Sequence, residues 1–318
     1  MAPLTASAPA DPLDAAAPLT TVYRPHDRVD VRLTLSVLRR GGGDPRLVLG
    51  TDGTAWYATR TPAGPATLHL APLRDGVAAS AWGLGSAHAL AAVPDLLGAR
   101  DDHRGFDPRG HVGLTAAHRR LAGLRVPRTG HLVESLVPAV LEQRVQTIDA
   151  QAAWRWLLLR HGEPAPGPAP RGLRVPPDVE GWRRVPVWDW RRAGVDDRRA
   201  TTVLRALAVV DRLQEAVDLH PAELARRMLT VPGIGPWTVG EVARRACGDT
   251  DAVSVGDLHL PRLVGLALVG HPVEDAQAMA LLEPWRPHRQ RVVRLLELTP
   301  GSAGPRHHPR PPRAFRPR

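Results

Sequence analysis

The stretch that decides the fold runs from Leu229 to Val242 and reads Leu-Thr-Val-Pro-Gly-Ile-Gly-Pro-Trp-Thr-Val-Gly-Glu-Val. A helical pattern ends near Leu229. Pro232 has no backbone N–H to donate, and Gly233 and Gly235 allow positive φ and close approach of the backbone. Pro236 suits the first turn of a following helix. The spacing predicts two helices joined by a tight hairpin, the second opening on bare N–H groups. Those amides and the helix dipole attract a phosphate without reading a base. A Pro-Gly pair alone marks an ordinary connection. The whole Pro-Gly-Ile-Gly-Pro-Trp-Thr run, set between two apolar-periodic segments, points to a grip on a nucleic-acid backbone.

Outward from the hairpin the pattern is helical. Helices are predicted at His111–Ala122, His131–Leu141, Ile148–His161, Asp196–Leu213, Pro221–Leu229, Trp237–Cys247, Leu258–Leu268, Glu274–Leu282 and His288–Leu298. The proline-rich stretch Glu163–Pro177 reads as a stiff surface connection. Toward the N-terminus the period changes to two. Val31, Leu33, Leu35 and Val37 alternate with polar residues and predict a strand. Further strands are predicted at Leu47–Leu49, Ala55–Thr59 and Thr67–Leu70, with a hairpin turn at Asp52-Gly53 and a helix around Ala87–Leu97. The expected fold class is mostly α with an α+β N-terminal part. Residues 1–21 read as a disordered Ala/Pro leader, 22–104 as a small antiparallel β-rich domain, 105–299 as a helical domain, and 300–318 as a basic Pro/Arg/His tail.

Composition narrows the chemistry. Lys and Arg number 42 against 32 for Asp and Glu, for a formal charge of +10 and a pI near 11.2. A surplus of that size favours a polyanionic partner. Every one of these cations is arginine; the 318 residues hold no lysine. No Schiff base can therefore form on a lysine amine. Cys247 is the only cysteine, which excludes an intrachain disulfide, a four-cysteine zinc site and a cysteine-held iron–sulfur cluster. No cofactor is expected. The sequence has neither a secretory signal nor an apolar span of 18 residues, so no membrane association and a cytoplasmic location are expected.

The hairpin run resembles that of the helix-hairpin-helix DNA glycosylase superfamily, and residues 105–298 are similar to bacterial 3-methyladenine DNA glycosylases of the second type. In that family a catalytic aspartate follows the hairpin by about twenty residues, just before another helix. In Ser254-Val255-Gly256-Asp257-Leu258-His259-Leu260, Asp257 is the match. Read by itself, Asp257 is a favoured helix N-cap, and the two roles are compatible.

Further roles are implied by the resemblance. Gln143 and Arg144, in the turn after the first core helix, fill the gap left by a flipped nucleotide, although the family places an apolar wedge where Arg144 stands. Trp237 lines the base pocket. Glu241 stands where the family has a pocket tyrosine, and a second pocket tryptophan is missing around Leu295 and Leu296. Gly233, Gly235, Thr238, Arg198 and Arg199 contact DNA. The backbone carbonyls of Leu229, Val231 and Ile234 are those that bind a monovalent cation in related hairpins; no other metal is implied. The superfamily's lyases carry a lysine where Trp237 sits, so the implied activity is monofunctional hydrolysis of alkylated purines from double-stranded DNA by a monomer. Two other readings stay open at this stage. One keeps the fold with oxidised or deaminated bases as substrate. The other is a non-catalytic DNA-structure binder, for which Asp257 would be dispensable.

Overall fold

A computed structural model describes residues 17–301. The sequence-based readings of residues 1–16 and 302–318 lie outside the described residues. Five strands form one antiparallel sheet: β1 (Leu19–Tyr23), β2 (Leu47–Leu49), β3 (Ala55–Thr61), β4 (Gly64–Leu73) and β5 (Gly76–Trp82), in the order β1-β5-β4-β3-β2. The Asp52-Gly53 turn is present. Gly53 has φ +87°, and Asp52 Oδ1 accepts from the N–H and hydroxyl of Thr54 at 3.1 and 2.7 Å. Val77, Ala79 and Ala81 alternate inward along β5 and share a core with Leu68, Leu70, Leu96 and Leu97.

Two N-terminal expectations are corrected. First, β1 begins inside the span read as leader. Its side chains are largely exposed, so it carries no inward stripe, and what places it is a main-chain ladder to β5 from Leu19↔Ala81 to Tyr23↔Val77. Second, Val31–Val37 is not a strand. It forms helix α1 (Val31–Leu35) and a 3-10 turn at Ser36–Leu38, capped where Asp30 Oδ1 accepts from Leu33 N at 2.8 Å. Val31, Thr34, Leu35 and Leu38 are the buried set, which is helical spacing. A run this short contained both periods, and the Asp30 cap selects the helical one.

The helices follow in chain order. α2 (Ser86–Ala91) and α3 (Val93–Leu96) cover the sheet; α4 (Val112–Arg120), α5 (Leu132–Leu141) and α6 (Thr147–His161) open the helical part. The proline-rich stretch folds back on itself as a two-residue ladder of β6 (Glu163–Pro164) and β7 (Arg174–Val175). Next come α7 (Val179–Arg183) and α8 (Val187–Arg192), which the sequence reading did not anticipate. The predicted Asp196–Leu213 helix is broken at Val209 into α9 (Asp197–Ala208) and α10 (Val210–Glu215). The chain continues through α11 (Pro221–Met228), α12 (Pro236–Val242) with a π-helical turn Ala243–Cys247, α13 (Leu260–Leu268), α14 (Asp275–Leu282) and α15 (Arg289–Glu297).

Buried side chains in the helical part gather in two clusters. One joins α5, α6 and α9–α12 around Trp154, Trp182 and Trp190; the other joins α4 to α13–α15 around Leu114, Val264 and Val292. The segment that leaves the first cluster at Ala246 and enters the second at Val253 leads into the Asp257 turn, so that turn lies at their junction. The sheet is joined to α5 by a buried polar knot. Glu134 accepts from Arg46 Nη1 (2.7 Å), Tyr57 Oη (3.0 Å), Thr59 Oγ1 (2.8 Å) and Arg60 N (2.7 Å). Among the described residues, no helix is long and apolar enough to cross a membrane.

Candidate active site

The hairpin forms as its sequence demands. α11 ends at Met228; Val231 N–H bonds back to the Met228 carbonyl at 3.0 Å, and Ile234 N–H to the Val231 carbonyl at 3.0 Å. Val231 and Ile234 are buried and pin the turn to the core. Gly233 has φ +100°, and a Cβ there would meet Thr202 Oγ1 at 2.2 Å, so only glycine fits. Gly235 differs from expectation. Its φ is −117°, it caps α12, and a Cβ there would meet nothing within 4 Å. Pro236 opens α12 as predicted.

From α12, Trp237 reaches the other half of the site. Its indole Nε1 donates to Asp257 Oδ2 at 2.9 Å across twenty positions of sequence. The second oxygen of Asp257 accepts the backbone N–H groups of His259 (2.8 Å) and Leu260 (3.0 Å). All three bonds at this carboxylate arrive from donors, so both of its oxygens are held in place. Asp257 thus holds the amides of His259, the residue that caps α13, and of Leu260, its first residue. Gly256, at φ +80°, turns the chain so that the carboxylate points back toward α12. Trp237 and Asp257 are both half-buried and retain accessible surface, while the neighbouring Leu258 is 86% exposed.

The turn between α5 and α6 lies against the hairpin. Gln143 Nε2 donates to the Gly233 carbonyl (3.0 Å) and to Thr238 Oγ1 (2.9 Å), so three residues singled out from sequence meet at one point. Thr238 itself is buried. Arg144 is exposed and has φ +54°, which no other non-glycine residue among those described shares in sign. A side chain held in the left-handed region costs of order 1–3 kcal/mol, a strain that clusters at ligand-gripping sites.

The two arginines of the second loop separate. Arg198 is exposed. Arg199, expected on the DNA face, is instead 6% exposed: its guanidinium bonds Asp196 Oδ2 (2.9 Å), the Leu141 carbonyl (2.7 Å) and the Gly194 carbonyl (2.9 Å). It braces the end of α5, since a side chain that enters the core from the first turn of α9 satisfies its donors there.

Glu241 is also differently placed from a free pocket residue. It lies one turn after Trp237 on α12 but is 3% exposed. Arg245 Nη1 donates to it at 2.6 Å, Arg244 Nη2 at 2.9 Å and Ser254 Oγ at 2.6 Å. Burial by itself would raise its carboxyl, but Arg244, Arg245, Arg40 and the Ser254 hydroxyl outweigh it and hold the group well below the usual carboxylate range. Sequence reasoning missed Ser254, although it stands three residues before Asp257. It had no means of finding Arg40, which arrives from the far end of the chain.

A small antiparallel sheet, a helical core and a Pro-Gly hairpin facing a carboxylate at the head of the next helix together define the fold of helix-hairpin-helix DNA glycosylases. Solved structures agree. The chain matches a 3-methyladenine DNA glycosylase from Archaeoglobus fulgidus with a TM-score of 0.72 at 17% identity, over 87% of this chain and 97% of that one. It matches the 8-oxoguanine glycosylase/lyase of Clostridium acetobutylicum, in complex with double-stranded DNA, with a TM-score of 0.64 at 10% identity, over 87% and 96%. In sequence it is 29% identical over 212 residues to the Mycobacterium tuberculosis protein described as "Probable bifunctional transcriptional activator/DNA repair enzyme AlkA". That match covers 65% of this chain and 39% of the relative, so the chain spans about two fifths of the length of the curated relatives it matches. No protein-family model matches the chain. The resemblance drawn from the hairpin and Asp257 holds at the level of fold.

Proposed function

We propose that this chain is a monofunctional DNA glycosylase that removes alkylated purines from duplex DNA. The observation that carries the reading is the Asp257 carboxylate, held by three donors beside the hairpin and beside a half-buried indole. Stacked bases are out of reach, so the nucleotide must leave the helix before chemistry. The hairpin amides and exposed Arg198 grip phosphates, and a monovalent cation on the carbonyls of Leu229, Val231 and Ile234 would add to that grip. Gln143 and Arg144, in the turn packed on the hairpin, would fill the gap that the nucleotide leaves in the duplex.

In the pocket, the Trp237 face stacks on the extruded base, and a cationic alkylated purine on an indole gains about 2 kcal/mol when desolvated. Such a base already leaves readily, so no strong general acid is needed. As the N-glycosidic bond breaks, positive charge develops on the sugar. The Asp257 carboxylate stabilises it electrostatically and orients the attacking water, after which the enzyme leaves an abasic site. With no lysine in the sequence, no lysine Schiff base leads on to strand cleavage.

The test uses duplexes carrying 3-methyladenine or 7-methylguanine, with released bases identified by mass spectrometry. Wild type is expected to release them without cutting the strand. Asp257→Asn is expected to lose roughly a hundredfold or more in rate while still binding duplex. Release at equal rates by both proteins would reject Asp257. Release only from oxidised or deaminated duplexes would move the substrate class, and binding without any release would make this a DNA-structure binder.

A further inference from the structure

We propose that Glu241 is a positioning residue, which acts through Ser254 to fix the turn carrying Asp257. Its catalytic consequence rests on the glycosylase reading above.

Three contacts place α12 directly on that turn. Gly240 approaches so closely that a Cβ there would meet the Val253 carbonyl at 2.7 Å and Ser254 Cα at 3.0 Å. One residue on, Glu241 Oε1 accepts the Ser254 hydroxyl at 2.6 Å. One turn back, Trp237 bonds Asp257. Ser254 is therefore held from both ends, since its own carbonyl accepts the Asp257 N–H at 3.2 Å and closes the turn. The hydroxyl ties the base of this turn to a buried charge.

The same carboxylate faces the other loop of the site. Arg40 Nη1 lies 4.0 Å from Glu241 Oε2 and donates to both oxygens of Glu142 at 2.8 Å. Glu142 directly precedes Gln143 and Arg144. One buried network thus touches the start of both loops that bear site residues. Stability alone is a weak reason for such a network, because an apolar residue of similar volume often serves a core as well as a buried ion pair. What the carboxylate adds is direction: Arg244 and Arg245 fix its oxygens, and one oxygen then fixes Ser254.

The experiment compares wild type with Ser254→Ala, Ser254→Thr and Glu241→Gln. Deuterium uptake of peptides spanning residues 253–260 needs no substrate. In Ser254→Ala these amides are expected to exchange about fivefold faster, with other segments unchanged. Ser254→Thr, which keeps the hydroxyl, restores protection. Unchanged uptake in Ser254→Ala would overturn the proposal. In turnover, kcat for base release is expected to fall about tenfold in Ser254→Ala with KM unchanged, and by the same factor for 3-methyladenine and 7-methylguanine. If Glu241→Gln instead alters the ratio between these bases, Glu241 contacts the base and the positioning role is wrong. If wild type releases no base from any duplex, the glycosylase reading fails, while the exchange experiment still decides whether Ser254 holds the turn.

Discussion

Trp237 Nε1 and Asp257 Oδ2 are joined by a hydrogen bond of 2.9 Å, which locks the first turn of the hairpin helix to the carboxylate at the head of α13. The indole therefore serves as a donor for the carboxylate, and under the proposed function its face is what a base would stack on. Trp237→Phe keeps most of the face and removes the donor. A hydrogen bond to a charged group contributes about 1.5–3 kcal/mol. Steady-state assays should accordingly show kcat reduced by roughly ten- to a hundredfold, with a much smaller change in KM. A loss confined to KM would mean that the indole serves only to bind the base.

The two hairpin glycines make different predictions. Gly233→Ala forces a side chain into φ +100° and onto Thr202, so a stability loss of about 2 kcal/mol or more is expected in denaturant unfolding. Gly235→Ala meets no protein atom and has an ordinary φ, so stability should be kept. If the hairpin grips phosphate by close backbone approach, Gly235→Ala should still weaken duplex binding. Fluorescence anisotropy at fixed salt checks this, and full-strength binding would place the phosphate elsewhere.

Glu134 predicts an acid limb. Burial alone would raise its carboxyl, yet Arg46, His131 and the bonds from Arg60 N–H and Thr59 hold it below the ordinary value of 4.5. Glu241 is depressed in the same direction. The unfolded chain thus takes up these protons more readily than the folded one. Their contribution is full above about pH 4.5 and is lost as pH falls through the lower folded values. Unfolding midpoints should drop below that pH, and Glu134→Gln should flatten the drop. The same substitution leaves Arg46 buried without its counter-charge, at a cost of about 3–5 kcal/mol at neutral pH.

Cys247 should be inert in the folded protein. Burial pushes its thiol up to about 12, so almost no thiolate exists at neutral pH. A chromogenic disulfide reagent is expected to titrate no thiol until denaturant is added. Rapid labelling under native conditions would show that the π-helical turn at the end of α12 opens.

The hairpin, the helices around it and the carboxylate at the head of α13 were legible in the sequence because each depends on local rules. Prolines and glycines at fixed offsets dictate the turn, apolar periodicity dictates the helices, and an aspartate before an apolar run closes the turn that leads into α13. Likewise, the absence of lysine closes a chemical route whatever the fold. The misreadings fall where local rules are silent or double-valued. Val31–Val37 satisfied two periods at once, and β1 presents no inward stripe because main-chain pairing with β5 holds it. The roles of Arg199 and Glu241 depended on which neighbours the fold supplied: carbonyls at the end of α5 for the first, and Arg40, Arg244, Arg245 and Ser254 for the second. Charge and spacing alone suit such residues equally to a DNA face or to a core. Desolvation settles the matter, because a charged side chain carried inward by its helix must find partners there, and only the tertiary structure determines which ones are within reach.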